Sequence, residues 1–243
     1  FNIDPKAIEK AITPNTKAIV PVHLFGQAAE MDAIIEIANK HNLYVIEDNA
    51  QGIGATFTSK DGTKTKTGGI GHVASTSFFP SKNLGCYGDG GAIFTNDDDL
   101  AHTLRGVVNH GMYKRYHHDV VGVNSRLDSL QAVVLSEKLK LLDYYNERRK
   151  WAAIRYSQLL GDHPKIMTPV TSGDCDSHVF HQYTLRILDA DRDALVAQLQ
   201  ESQIPCGVYY PIPLHRQKAY VDSRYNEADF AVTNQLIDEV ISL

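Results

Sequence analysis

HVASTSFFPSKNLGCYGDGGAIFTN, residues 72–96, decides how the chain folds. Its two ends, HVASTSFF (72–79) and GAIFTN (91–96), are short apolar runs that read as strands. Between them sits one lysine, Lys82, followed by Gly85, Gly88, Gly90 and Gly91. A solvated surface lysine needs no such setting. Glycine permits positive φ and close backbone approach, so the loop is read as lying against a ligand.

Working outward, strands alternate with helices. KAIVPVH (17–23) is a β-branched run ending at a histidine, and LYVIED (43–48) is a strand of the fully buried kind. Between them, MDAIIEIANKHN (31–42) places Met31, Ile34, Ile35 and Ala38 at i, i+3, i+4 and i+7, an amphipathic helix with one core face. DDDLAHTLRGVVNHG (97–111) reads as a helix whose acidic first turn suits the macrodipole. The alternation predicts an α/β fold: a mostly parallel sheet with flanking helices. From about Asn124 a long helical stretch follows, two helices with a bend, with Leu127, Leu130, Val134, Leu141 and Leu142 in its apolar stripe. A smaller α+β unit comes after it: strand FHQYTLRIL (180–188), helix ADRDALVAQLQESQ (190–203) and strand PCGVYYPIP (205–213). The boundary falls near 147, giving a large domain over 1–147 and a small one over 148–243. Both ends read as cut, so the chain is expected to be part of a longer protein.

Composition narrows the function. Of 243 residues, 43% are hydrophobic and 22% charged, and the formal net charge is -5. That balance offers no electrostatic footprint for nucleic acid. No apolar run reaches the length of a membrane span. Cys86, Cys175 and Cys206 are sparse and unpaired in spacing, which suits a reducing cytoplasm and gives no structural zinc pattern. His117 and His118 diverge as sequence neighbours do, so no metal site is expected there.

In open α/β sheets, ligands bind beyond the carboxyl ends of the strands. Three strands deliver polar residues to that edge: His23 after KAIVPV, Asp48 after LYVIE, and Ser77 and Lys82 after HVAST. Each has a plain alternative: a satisfied half-buried histidine, a helix N-cap aspartate, a solvated loop lysine. Lysine precedes its glycines here, whereas a P-loop needs it after them, and GxGxxG is absent. A lysine that reacts with a carbonyl needs an apolar surrounding to hold its amine uncharged, and Phe78, Phe79 and Pro80 offer one. A carboxylate such as Asp48 would keep a pyridine nitrogen protonated, and Ser77 would bind a phosphate. Asp, then Ser, then Lys five residues on is the order a pyridoxal phosphate site requires.

EDNAQGIGA (47–55), SFFPSKNLGCYGDGGAIFTND (77–97) and GVNSRLDSLQA (122–132) resemble the DegT/StrS-type sugar aminotransferases. PVHLFGQ (21–27) and YYPIPLH (209–215) extend the likeness over essentially the whole chain. The resemblance implies a pyridoxal 5'-phosphate enzyme of fold type I. It matches Lys82 to the lysine that carries the cofactor and moves the proton, and Asp48 to the carboxylate on the pyridine nitrogen. Gln51 matches the glutamine on the ring's hydroxyl side, and Ser77 a phosphate ligand. Asn124 matches the asparagine that reaches the phosphate from the neighbouring subunit, which implies a homodimer with the site at its interface. Family members usually carry roughly a hundred further N-terminal residues, with a phosphate loop and a ring-stacking aromatic, and a longer small domain.

The implied reaction moves an amino group from glutamate, leaving 2-oxoglutarate, to a nucleotide-linked keto-sugar. The wording of RYHHDVVGVNSRLD and YYPIPLHRQ looks most like the branch that aminates a UDP-linked 3-keto-N-acetylglucosaminuronate in bacterial surface-polysaccharide synthesis, of which O-antigen is one kind. His23, Arg126 and Tyr210 are the candidate sugar contacts, with Lys114 and Arg115 as further cations or plain loop charges. Three alternatives stand: a 4-keto-sugar nucleotide as acceptor, a non-catalytic dimerising partner chain, and a phosphate- or nucleotide-binding module.

Overall fold

The computed structural model describes residues 1–171 and 175–243. They form two compact units: residues 1–150 with 171–181, and residues 151–170 with 182–243.

In the first unit, helix α1 (Pro5–Ala11) starts where Asp4 accepts the Lys6 N–H and Pro5 takes the first turn. Strand β1 (Ala18–Ile19) leads through His23 to helix α2 (Met31–His41). The predicted face of α2 is buried: Met31 and Ile34 are 0% exposed and Ala38 1%. Met31 and Ile34 contribute about 1.5–3 kcal/mol each as fully buried side chains. The helix ends at Asn42, whose φ of 53° is the left-handed cap that asparagine tolerates. Strand β2 (Tyr44–Asp48) follows, then a hairpin of β3 (Thr56–Thr58) and β4 (Lys64–Lys66), then β5 (Val73–Ser77) and β6 (Gly91–Phe94). Helix α3 (Asp98–Val108) is capped by Asp97, which accepts the Leu100 N–H at 2.9 Å. A small ribbon of β7 (Met112–Lys114) and β8 (His117–His118) precedes helix α4 (Ser129–Leu139) and helix α5 (Leu142–Leu160).

The sheet order is β1-β2-β5-β6. The first three strands are parallel, and β6 runs antiparallel to β5. The sheet is therefore mixed. Residues 78–90 carry no helix to cross a face, so the chain can only turn back beside the strand it left. That return places Lys82 at the carboxyl edge.

In the second unit, β9 (Ile166–Met167), β10 (Thr184–Ile187), helix α6 (Arg192–Glu201), helix α7 (Ala231–Glu239) and β11 (Val240–Ser242) form a three-stranded antiparallel sheet with two helices.

By contacts the first unit runs to Lys150, inside the unbroken α5 and close to the boundary expected near 147, and residues 171–181 return to it. Backbone bonds from Ala28 N–H to Ser177 O (2.8 Å) and Val179 N–H to Gly26 O (2.9 Å) draw them there. The strand expected from Phe180 starts only at Thr184, because Phe180 has φ 46°. PCGVYYPIP forms no strand: Gly207 alone bridges Ser242, and its prolines lack the ladder donor. Of the expected apolar stripe, Leu142 is buried and Val134 half-buried, but Leu127, Leu130 (74%) and Leu141 are exposed.

Candidate active site

Asp48 ends β2 and Ser77 ends β5, at one edge of the parallel strands. The Asp48 main chain is tied on both sides: its N–H donates to Pro21 O (2.9 Å) and its carbonyl accepts from His23 N–H (3.0 Å). One carboxylate oxygen accepts the Ala50 N–H at 3.0 Å, and the other has no partner among the described residues. The Lys82 amine likewise donates to no described residue; the residue's backbone N–H donates to Phe79 O at 2.9 Å. Burial pulls the Lys82 amine below its ordinary value, while the Asp48 charge pulls the other way, and burial wins. A free carboxylate oxygen near a half-buried, easily neutralised amine fits a pyridinium nitrogen on one side and a reactive carbonyl on the other. Ser77 Oγ accepts the Phe79 N–H at 3.2 Å.

The glycines have another use than expected. None from Gly85 to Gly91 has a positive φ. They let the loop fold onto itself: a Cβ at Gly85 would lie 2.5 Å from Pro80 O, and one at Gly91 2.7 Å from Thr76 O. Leu84 and Cys86 are buried against Leu135 and Leu142, and α4 grips the loop through Lys138 on Gly85 O and Gln131 Oε1, which accepts the Tyr87 N–H. Lys82 is held on a rigid loop.

Gln51 is buried, and its Oε1 accepts the Phe25 N–H at 2.6 Å. Phe25 sits at φ 58°, a strained setting for a bulky residue that the glutamine helps to hold. Gly26 is next, at φ +100°; a Cβ there would lie 2.8 Å from His181 N and 3.2 Å from Gln51 O. Gly26→Ala is expected to destabilise the first unit by at least about 1–2 kcal/mol from backbone strain alone. A urea midpoint equal to that of the unmodified protein would contradict this.

His23 does not face a ligand. It is 0% exposed, accepts the Ala29 N–H at Nδ1 (3.1 Å) and donates from Nε2 to Glu47 Oε2 (2.9 Å). The satisfied-core alternative describes it, and the sugar-contact assignment is withdrawn. Glu47, also 0% exposed, accepts the N–H groups of Gly68 (2.7 Å), Ile70 (2.8 Å) and Gly71 (2.6 Å). Burial opposes its charge, but His23 and these three amides outweigh burial and hold the carboxyl below its ordinary value.

Asn124 and Arg126 are exposed and line an open groove with β6 and α3 that contains neither Lys82 nor Asp48. Tyr210 is 54% exposed and belongs to the second unit. Among the described residues no group of three or more His, Cys, Asp or Glu is placed to hold a metal ion, and no helix is long and apolar enough to cross a membrane.

Sequence reasoning missed His181. Its Nδ1 bonds Asn83 Oδ1 at 3.2 Å; Asn83 in turn donates to Asn146 Oδ1 (2.8 Å) and Val179 O (3.2 Å). Burial, then the charges of Lys82 and Arg149, pull its pKa down to about 4, so it is a neutral imidazole in the lysine's neighbourhood. Its position in an apolar run hid it.

Residues 1–243 match the profile of the DegT/DnrJ/EryC1/StrS aminotransferase family. The chain belongs to this family. It is 47% identical over its whole length to the "Pleiotropic regulatory protein" of Geobacillus stearothermophilus, covering 64% of that protein. It is 46% identical to the UDP-2-acetamido-2-deoxy-3-oxo-D-glucuronate aminotransferase of Pseudomonas aeruginosa, again over 100% of this chain and 64% of the other. The crystal structure of Streptomyces venezuelae DesV in complex with a ketimine intermediate superposes with a TM-score of 0.92 at 41% identity, over 100% of this chain and 63% of that one. The chain thus spans just under two thirds of the length of the relatives it matches. Aminotransferases of this family depend on pyridoxal phosphate.

Proposed function

We propose that the protein takes part in pyridoxal-phosphate-dependent transamination of a nucleotide-linked keto-sugar, with glutamate as amino donor. The observation that carries this reading is Lys82: a half-buried amine with no hydrogen-bond partner among the described residues, at a strand end shared with Asp48. When bound, the cofactor supplies the electron sink that makes a neighbouring C–H acidic. Asp48 would orient the pyridine nitrogen with its free oxygen, Ser77 would hold phosphate, and Gln51 would contact the ring's hydroxyl side. Lys82, kept easily neutral by burial, would take the proton from one carbon and return it to another.

A homodimer is part of the proposal. Asn124 and Arg126 would enter the site of the neighbouring subunit, and the exposed Leu130 and Val133 of α4 offer apolar surface for the contact. For the acceptor, we favour the UDP-linked 3-keto-N-acetylglucosaminuronate, with Arg126 and Tyr210 as its contacts. The name of the P. aeruginosa relative supports that choice. We place the reaction in bacterial surface-polysaccharide synthesis in the cytoplasm.

The first experiment adds pyridoxal phosphate, reduces with borohydride and locates the label by peptide mass spectrometry. Label on Lys82 is expected, at neutral pH and ahead of the exposed lysines, because its lowered pKa leaves more free amine. Label spread over exposed lysines with none on Lys82 would sink the reading. A direct comparison of 3-keto and 4-keto sugar nucleotides as acceptors is expected to favour the 3-keto compound; a preference for the 4-keto compound would replace the sugar while keeping the reaction.

A further inference from the structure

Arg149 is a half-buried cation without a counter-ion among the described residues. It lies on α5, and its Nη1 donates to two backbone carbonyls, Phe180 O and His181 O, each at 3.2 Å. Its Nε–H and both Nη2 hydrogens have no acceptor among the described residues, and no described carboxylate lies within ion-pairing distance. Burial, with no described anion to oppose it, pulls the guanidinium below its ordinary value.

The other arginines shielded from solvent are treated differently. Arg186 pairs with Glu239 at 2.6 Å, and Arg192 with Asp193 at 2.6 Å. The neighbouring Lys150, also buried, has Glu147 and Asp176, each at 2.8 Å. A charge shielded from water is costly without a partner, so an uncompensated one points to an anionic ligand. The remaining Nε–Nη2 edge of the guanidinium forms a planar fork that matches a carboxylate.

The place is specific. Arg149 Nη1 lies 3.2 Å from His181 O, and the His181 ring lies 3.2 Å from Oδ1 of Asn83, the residue that follows Lys82, so the three share one neighbourhood. His181 stays neutral there, tied to Asn83, and adds no competing negative charge. A carboxylate set at Arg149 would have a reactive lysine nearby, as an amino acid must when its amino group is transferred.

We propose that Arg149 is a carboxylate-binding residue of the Lys82 site and that its ligand is the carboxylate beside the amino group of the donor. This rests on the aminotransferase reading and adds to it the place where the donor is held. Arg149 is thus a substrate-binding residue, with His181 as a neutral neighbour.

The test measures 2-oxoglutarate binding to the cofactor-loaded protein by calorimetry, which needs no turnover. Arg149→Gln is expected to raise the dissociation constant at least about tenfold, the loss of one charge-assisted bidentate contact. Arg149→Lys keeps the charge but not the fork, and a smaller rise is expected. An unchanged constant in a folded Arg149→Gln protein overturns the proposal. Because Arg149 also ties down Phe180 and His181, the variant risks unfolding, and a second measurement uses the unmodified protein. The His181 ring titration is followed by NMR with and without 2-oxoglutarate. Bound carboxylate should offset the two cations and raise the midpoint from about 4; a midpoint that stays put overturns the proposal. Should the protein bind 2-oxoglutarate through Arg149 yet take no label at Lys82, the aminotransferase reading fails and the carboxylate site stands.

Discussion

Lys82→Ala is expected to lower turnover by more than about 10⁴-fold in the cofactor-loaded protein. General acid–base transfer alone contributes about 10²–10⁴-fold, and the covalent anchor of the cofactor is lost with it. The fold should survive, because the Lys82 amine makes no hydrogen bond to a described residue and its loop is held by others. Phe78 N–H reaches Gly90 O at 2.8 Å, Cys86 N–H reaches Phe78 O at 2.8 Å, and α4 supplies Lys138 and Gln131. The measurement is amino transfer from glutamate, with circular dichroism as the control for folding. A folded Ala variant that still turns over would take Lys82 out of the mechanism, and the family's lysine role could not be carried to this position. Lys82→Arg gives a second arm: it keeps a positive charge near Asp48 but has no amine that can be neutralised in the working range, so it should be as inactive as alanine.

The second large effect is on stability. Glu47→Ala removes the acceptor for three backbone amides and the partner of His23 in one step. Leaving buried donors unsatisfied costs about 1–3 kcal/mol each, so the loss should amount to several kcal/mol. The loss should appear as a lower urea midpoint and as fast hydrogen exchange at Gly68, Ile70 and Gly71. Exchange at those amides unchanged from the unmodified protein would refute the clamp. The same group predicts an acid limb. Its folded pKa is depressed below the ordinary 4.5, so its contribution is fully present above about pH 4.5 and is lost as pH falls through the folded value. Glu47→Gln should flatten that limb, because glutamine does not titrate.

Much of this was legible in the sequence for a physical reason: local pattern encodes local structure. Met31, Ile34 and Ala38 announced α2 by spacing, Asp97 announced the start of α3, and the run before Ser77 announced β5. The strand-end rule then brought Asp48, Ser77 and Lys82 to one edge without any tertiary information. What the sequence hid was non-local. His23 pairs with Glu47, and each residue alone reads as a site candidate or as nothing. His181 belongs to Asn83, far away in the chain, and a left-handed Phe180 breaks the strand that periodicity suggested. The β3–β4 hairpin did carry a signal, Asp61-Gly62 between two threonine-containing runs, which went unused. Strand β11 pairs with β10 across more than fifty residues, and nothing local marks that partner.

Glu47 and Asp48 are consecutive on β2, and they do opposite jobs. One is sealed in the interior, holding a turn of backbone amides; the other keeps a free oxygen at the edge. Only the two-residue alternation of the strand separates them. Sliding β2 by a single position against β1 and β5 would set Glu47 at the edge with Ile46 inside the clamp, or Asp48 inside the clamp, one methylene short, with Asn49 at the edge. Neither slip keeps a carboxylate in both places. The adjacent pair therefore marks the register of the central strand, and a slip in either direction during folding forfeits the amide clamp, the edge carboxylate, or both.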